Sequence, residues 1–297
     1  MKFGSESGML REMRIVLKMI PGMRPLLLKA GSFALLAVMF GAGEASVAHL
    51  IVGQNNEQRT QLQREIAHQR QRLKSEDIEE RRDALMRLGN LKQPDASRVA
   101  AAGLTDVAPI VRVTAAHAIL SLPPAEAATL LIPLLQDKLE FVRREAAYAL
   151  GETRSRSAVA PLASVLLGDK EVGVRGAAAV ALGEIGDESA VPTLSQVLAG
   201  QTEKKKKAKG GGNEFVMRAA ARSLGQIKSR SGVGVLIATL ANESIDIDLR
   251  REAATALGLI GDTSAGPALQ AAFTSSDPYL SEAARAALRR LKLATKN

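Results

Sequence analysis

Apolar residues recur along the C-terminal two thirds of the chain with a long, regular period. Leu88, Ile119, Leu150, Leu182, Leu224, Leu257 and Leu288 mark one position, at intervals of 31, 31, 32, 42, 33 and 31 residues. Twelve residues after the first six anchors stand Ala100, Leu131, Leu162, Leu194, Leu236 and Leu269. Sixteen residues after them stand Leu104, Leu135, Leu166, Leu198, Leu240 and Phe273. A step of four between these two apolar sets places both on one face of a second helix. Polar turn residues such as Gly186-Asp187-Glu188-Ser189 divide the two helices. Pro192 and Pro267 follow such turns, where a first-turn proline gives up no hydrogen bond. The predicted unit is therefore helix, turn, helix. One such pair cannot bury its own apolar faces, but a stack of them can.

The anchor lies in a recurring stretch. Its copies are Phe141-Val-Arg-Arg-Glu-Ala-Ala-Tyr-Ala-Leu-Gly, Gly173-Val-Arg-Gly-Ala-Ala-Ala-Val-Ala-Leu-Gly, Phe215-Val-Met-Arg-Ala-Ala-Ala-Arg-Ser-Leu-Gly and Asp248-Leu-Arg-Arg-Glu-Ala-Ala-Thr-Ala-Leu-Gly. Small residues such as Ala146, Ala147 and Ala149 let the first helices approach closely. This stretch resembles the HEAT repeat, in the short form found in phycobilisome lyases, over Ile78 to Lys292. The resemblance implies an all-α fold, a right-handed α-solenoid of about seven helix pairs. It also implies a ladder between repeats, built from an Asp between helices and an Arg that starts the next one. Asp106 and Arg112, Asp137 and Arg143, and Asp169 and Arg175 fit that pattern, each pair six residues apart. Met217 and Ser281 stand where the Arg belongs, so the ladder is expected to break there.

The N-terminal part has another pattern. Residues 30–52 are mostly apolar and long enough, as a helix, to cross a bilayer. The expectation is a single transmembrane helix and a single-pass protein of a bacterial inner membrane. A cleaved signal peptide ending near Ser46-Val47-Ala48 and a buried helix are the alternatives. Ala37, Gly41 and Ala45 stand four apart, a small-residue face suited to helix packing in lipid, and Glu44 wants a partner there. Residues 1–29 read as a basic leader, either an amphipathic helix at a membrane surface or an ordinary helix, and 53–77 read as a polar helical stalk. The repeats then occupy 78–297. Five Lys and Arg precede the apolar segment within about 20 residues and four follow it, which leans toward repeats on the non-cytoplasmic side.

Composition narrows the chemistry. From Ile78 onward there are 29 Lys and Arg against 24 Asp and Glu, and the whole excess is one run, Lys204, Lys205, Lys206, Lys207 and Lys209. A surface otherwise neutral argues against nucleic acid. The lysine run, followed by glycines, reads as a solvated insertion whose candidate contacts are anionic lipid or an acidic partner. With no Cys there is no disulfide or thiolate site. His49, His68 and His117 are the only histidines, and no Trp is present. No phosphate-binding loop, nucleophile elbow or metal-spaced cluster occurs. No cofactor, metal or catalytic residue is expected. The expectation is a non-enzymatic scaffold, an accessory subunit that packs against other membrane subunits and docks a protein through its solenoid. The alternatives are a lyase-like protein or lyase chaperone acting on tetrapyrrole-bearing proteins, and a tether using the lysine loop. No individual binding residue on the second helices stands out, Ser164 and Gln196 included.

Overall fold

The computed structural model describes residues 44–200 and 212–294, with side chains over 56–200 and 214–291. The chain divides into two compact units, Met1–Ala67 and His68–Asn297. The described part of the first unit is helical and belongs to α1, Glu44–Arg72, whose last turn lies in the second unit.

The second unit is a succession of helix pairs. The first helices are α2 (Ile78–Asn90), α4 (Pro109–Ala118), α6 (Glu140–Thr153), α8 (Val172–Ile185), α10 (Gly212–Ile227), α12 (Ile247–Ile260) and α14 (Pro278–Ala294). The second helices are α3 (Pro94–Ala100), α5 (Pro124–Leu131), α7 (Val159–Gly168), α9 (Val191–Ala199), α11 (Val233–Ala241) and α13 (Gly266–Phe273). The described residues thus hold six pairs and a closing first helix, numbered here as repeats 1 to 7, and no strand. The anchors Leu88, Ile119, Leu150, Leu182, Leu224 and Leu257 are essentially inaccessible to solvent, as are Leu131, Leu162, Leu194, Leu236 and Leu269 of the second helices. Proline opens α3, α4, α5, α9 and α13, where its missing N–H is no loss.

Consecutive first helices pack on one another, and the Ala-Leu-Gly motif supplies the contact. The Gly of one repeat receives the Ala of the next. A Cβ built on Gly89, Gly151, Gly225 or Gly258 would lie 2.8–3.1 Å from the Cα of Ala118, Ala181, Ala256 or Ala287. Backbones that close leave no room for any side chain on the receiving residue. Gly183 receives Ser223, whose hydroxyl donates to the Ala179 carbonyl at 2.7 Å. Repeat 2 has Leu120 in the glycine place, and α4 packs on α6 less closely than the other neighbours do. In repeat 7 the place is taken by Arg289, whose side chain is 59% exposed.

Each first helix of repeats 3 to 6 ends on a residue in the left-handed region. Repeats 4 and 6 use Gly186 (φ 73°) and Gly261 (φ 75°); repeats 3 and 5 use Arg154 (φ 53°) and Lys228 (φ 59°).

The expected single-pass membrane location is overturned. Among the described residues no helix is long and apolar enough to cross a membrane. Residues 44–52, the described end of the expected apolar segment, continue without a break into the Gln- and Arg-rich remainder of α1. The orientation inferred for the repeats falls with the membrane location. Ala37, Gly41, the rest of 1–43, and the side chains of Glu44 and Ala45 lie outside the described residues. So do Lys204 to Lys207 and Lys209.

Candidate functional site: a charged ladder beside an uncharged helix layer

Two features distinguish the repeat unit. The first is a ladder of charge-assisted hydrogen bonds along the edge where second helices end and first helices begin. Arg112 donates through Nε and Nη2 to both carboxylate oxygens of Asp137, at 2.8 and 3.1 Å. Its Nη1 donates to the carbonyls of Asp106 and Val107, at 2.7 and 3.2 Å. Arg143 repeats this with Asp169 at 2.7 and 3.0 Å, and with the Asp137 carbonyl at 2.9 Å. One arginine therefore ties together its own loop and the loop of the following repeat. The carboxylates also cap the loop: Asp106, Asp137 and Asp169 accept from the N–H groups of Ala108, Leu139 and Glu171 at 2.8–2.9 Å. Side chains on these rungs are only about one tenth exposed.

Burial pushes each of these carboxyls up. The arginine and the backbone N–H outweigh it, and all three sit below the ordinary aspartate value. They stay ionised well into acid.

A rung unmarked by the Asp and Arg spacing precedes these. Arg81 binds Asp106 at 2.7 and 2.9 Å and reaches the carbonyls of Ser75 and Glu76. Ser75 stands where later repeats have Asp, so only the arginine half of the pattern was there to be read. Arg175 donates to the carbonyls of Asp169 and Lys170 at 2.8 and 3.1 Å and forms no ion pair among the described residues. Beyond Met217 the ladder resumes in another register. Arg250 occupies the ladder column yet donates to the Leu240 carbonyl at 2.9 Å, and Ser281 does the same toward Phe273 at 2.8 Å. It is Arg251, one residue on, that grips Asp277 at 3.1 and 2.6 Å, with side chains 28% and 23% exposed.

The second feature is a layer without charge. Helices α7, α9, α11 and α13, the second helices of repeats 3 to 6, contain no Asp, Glu, Lys or Arg. Ser164, Gln196, Ala238 and Ala271 occupy matching exposed positions on them. First helices of the same repeats all carry charge, from Arg175 and Glu184 on α8 to Glu140, Arg143, Arg144, Glu145 and Glu152 on α6. Soluble surfaces ordinarily hold a quarter or more charged residues, so four consecutive uncharged helices are a marked departure. Reading positions singly, as at Ser164 and Gln196, misses this; aligning whole second helices shows it. In repeats 1 and 2 the second helices do bear charge, with Arg98 on α3 paired to Glu126 on α5 at 3.0 Å.

His117 lies 3.7 Å from Glu145 and 4.0 Å from Glu152. Glu184 nearby is raised above the usual glutamate value by burial and then by the Glu152 charge. Among the described residues no group of His, Cys, Asp and Glu is arranged to hold a metal ion.

Stacked helix pairs with an inter-repeat ladder define an α-solenoid. HEAT repeats match residues 66–150, 131–209 and 204–289, and the chain belongs to the HEAT-repeat family. No curated protein matches it by sequence. Among solved structures it is similar to Escherichia coli YibA, at 17% identity and a TM-score of 0.52, over 98% of this chain and 99% of that one. It is similar to the CpcE and CpcF complex of phycocyanin lyase from Nostoc sp. PCC7120, at 25% identity and a TM-score of 0.44, over 76% and 86% of the two chains. Human deoxyhypusine hydroxylase in complex with glycerol matches at 21% identity and a TM-score of 0.39, over 77% and 84%. The YibA likeness is one of fold.

Proposed function

We propose that the protein is a non-enzymatic scaffold, an accessory subunit that holds a protein partner on the second-helix layer of repeats 3 to 6. The observation that carries this reading is the absence of charge from α7, α9, α11 and α13. Covering a charged surface strands ions away from water unless each finds a partner. A charge-free layer of small residues avoids that penalty, and charge depletion marks the centre of protein interfaces. Solenoids generally bind through such extended surfaces.

The test introduces charge where the layer is open. Gln196→Arg and Ala238→Arg together should remove the partner from cross-linked co-purifications read by mass spectrometry. Arg290→Glu on α14 is the control and should retain it. Both positions of the double variant are exposed, so its melting temperature should stay within about 2 °C of the parent, since surface substitutions rarely exceed about half a kcal/mol. Undiminished recovery with the double variant overturns the reading.

A further inference from the structure

At the junction of repeats 2 and 3 an open groove of about 490 Å³ lies between the ladder edge and the uncharged layer. Leu135, Gln136 and Asp137 line it from the loop after α5; Ser164, Val165 and Gly168 line it from α7. The Arg143–Asp169 rung and Lys170 complete it. Its volume falls within the range of pockets that seat small ligands or side chains.

Most of the charge in the groove is already matched. Asp137 takes both Arg112 donors, Asp169 takes both from Arg143, and the remaining Arg143 nitrogen is spent on carbonyls. The side chains of Gln136 and Ser164 form no hydrogen bond among the described residues, and both are exposed. The Lys170 ammonium is 79% exposed, with only a 4.0 Å approach to Glu171. The groove thus offers an ammonium, an amide and a hydroxyl, all able to donate, and the ammonium is held by a carboxylate only at the long distance of 4.0 Å.

We propose that this groove seats a single Asp or Glu side chain of the partner, on a segment otherwise uncharged. The carboxylate accepts from Lys170, Gln136 and Ser164, while the flanking residues run onto the charge-free face that begins with α7. A cationic side chain would meet Lys170 and find both aspartates engaged. The inference rests on the scaffold reading and names the chemistry of its partner.

The experiment is an NMR titration of the full ¹⁵N-labelled chain with the probe acetyl-Ala-Ala-Glu-Ala-Ala-amide. Amide shifts are expected at Gln136, Ser164, Gly168 and Lys170, with millimolar affinity. The Gln-centred peptide should bind about tenfold more weakly, the worth of one charge-assisted contact. Lys170→Met should abolish the shifts, and Lys138→Met, on the same edge outside the groove, should leave them. The proposal is overturned by equal binding of the Gln- or Lys-centred peptide, by tighter binding of free glutarate than of the peptide, or by no shift at all. Both lysines are exposed, so neither change threatens the fold. Failure here with partner loss in the Gln196 and Ala238 double variant retires the groove alone. Peptide binding with a partner indifferent to that variant retires the scaffold surface instead.

Discussion

Adding a single methyl group tests the packing scheme most directly. Gly225 lies in α10 and receives Ala256 of α12. In Gly225→Ala the new Cβ would stand 2.8 Å from the Ala256 Cα, 3.0 Å from its Cβ and 3.3 Å from Cδ1 of Leu259. Carbon atoms rest at about 3.5–4.0 Å, so α12 must yield by about 0.7 Å or more. The nearest obstacle is backbone, which cannot swing aside as a side-chain tip can. Overpacking of this kind costs about 1–3 kcal/mol. Alanine in place of glycine inside a helix returns about 1 kcal/mol. With both sides rigid, the upper part of the first range applies, and the net loss is about 1–2 kcal/mol. For a repeat region of this size that lowers the melting temperature by about 3–6 °C. Gly234→Ala in α11 is the internal control: no atom lies within 4 Å of the new Cβ, so only the helix-propensity gain remains. Thermal unfolding by far-ultraviolet circular dichroism should therefore move in opposite directions for the two variants. If Gly225→Ala melts at or above the parent temperature, Ala-Leu-Gly is not a close-approach motif and the account of how repeats stack is wrong.

Arg112→Met should destabilise by about 2–3 kcal/mol in urea titration, because it strands the largely buried Asp137 carboxylate and two loop carbonyls; a change under about half a kcal/mol would remove the ladder from the account of stability. Asp106, Asp137 and Asp169 all have lowered folded-state values, so their stabilisation is complete above the unfolded aspartate value of about 3.9 and is lost as pH falls through the lower folded values. Melting temperatures should accordingly hold steady from neutrality to about pH 5 and fall steeply below about pH 4, and a flat profile down to about pH 2 would contradict this. At the left-handed helix ends, Lys228→Gly should gain about 0.5–1 kcal/mol and Gly261→Ala should lose about 1 kcal/mol, read by the same melts; equal signs would mean that these dihedrals carry no strain.

Much of the fold was legible because a repeat states its pattern several times over. The anchors, the second-helix positions and the first-turn prolines Pro192 and Pro267 all follow from periodicity, which copying reinforces. The rungs were legible only where both members of the Asp and Arg spacing were present. Arg81 escaped because Ser75 supplies a carbonyl and no carboxylate. Transfer of the grip from the Arg250 column to Arg251 escaped because adjacent arginines look alike in sequence, and only the approach of Asp277 chooses between them. Residues 30–52 misled for a different reason. Hydropathy counts apolar side chains alone; of this segment only 44–52 lie among the described residues, where α1 runs through Gly53 into polar sequence, and no described helix is apolar enough to cross a membrane. The uncharged layer was present in the letters all along. It is a property of four helices taken together, invisible at any one of them.

Arg289 has a meaning for the outer face of α14. Where most earlier steps hold a glycine with a neighbouring backbone on top of it, this one holds a guanidinium that donates to Glu282 at 3.2 Å and is 59% exposed. An ion pair of that kind stays in water, so this face of α14 is hydrated, whereas the matching faces of α2, α6, α8, α10 and α12 lie under a neighbouring helix. Replacing Arg289 with glycine would exchange a hydrated pair for bare backbone.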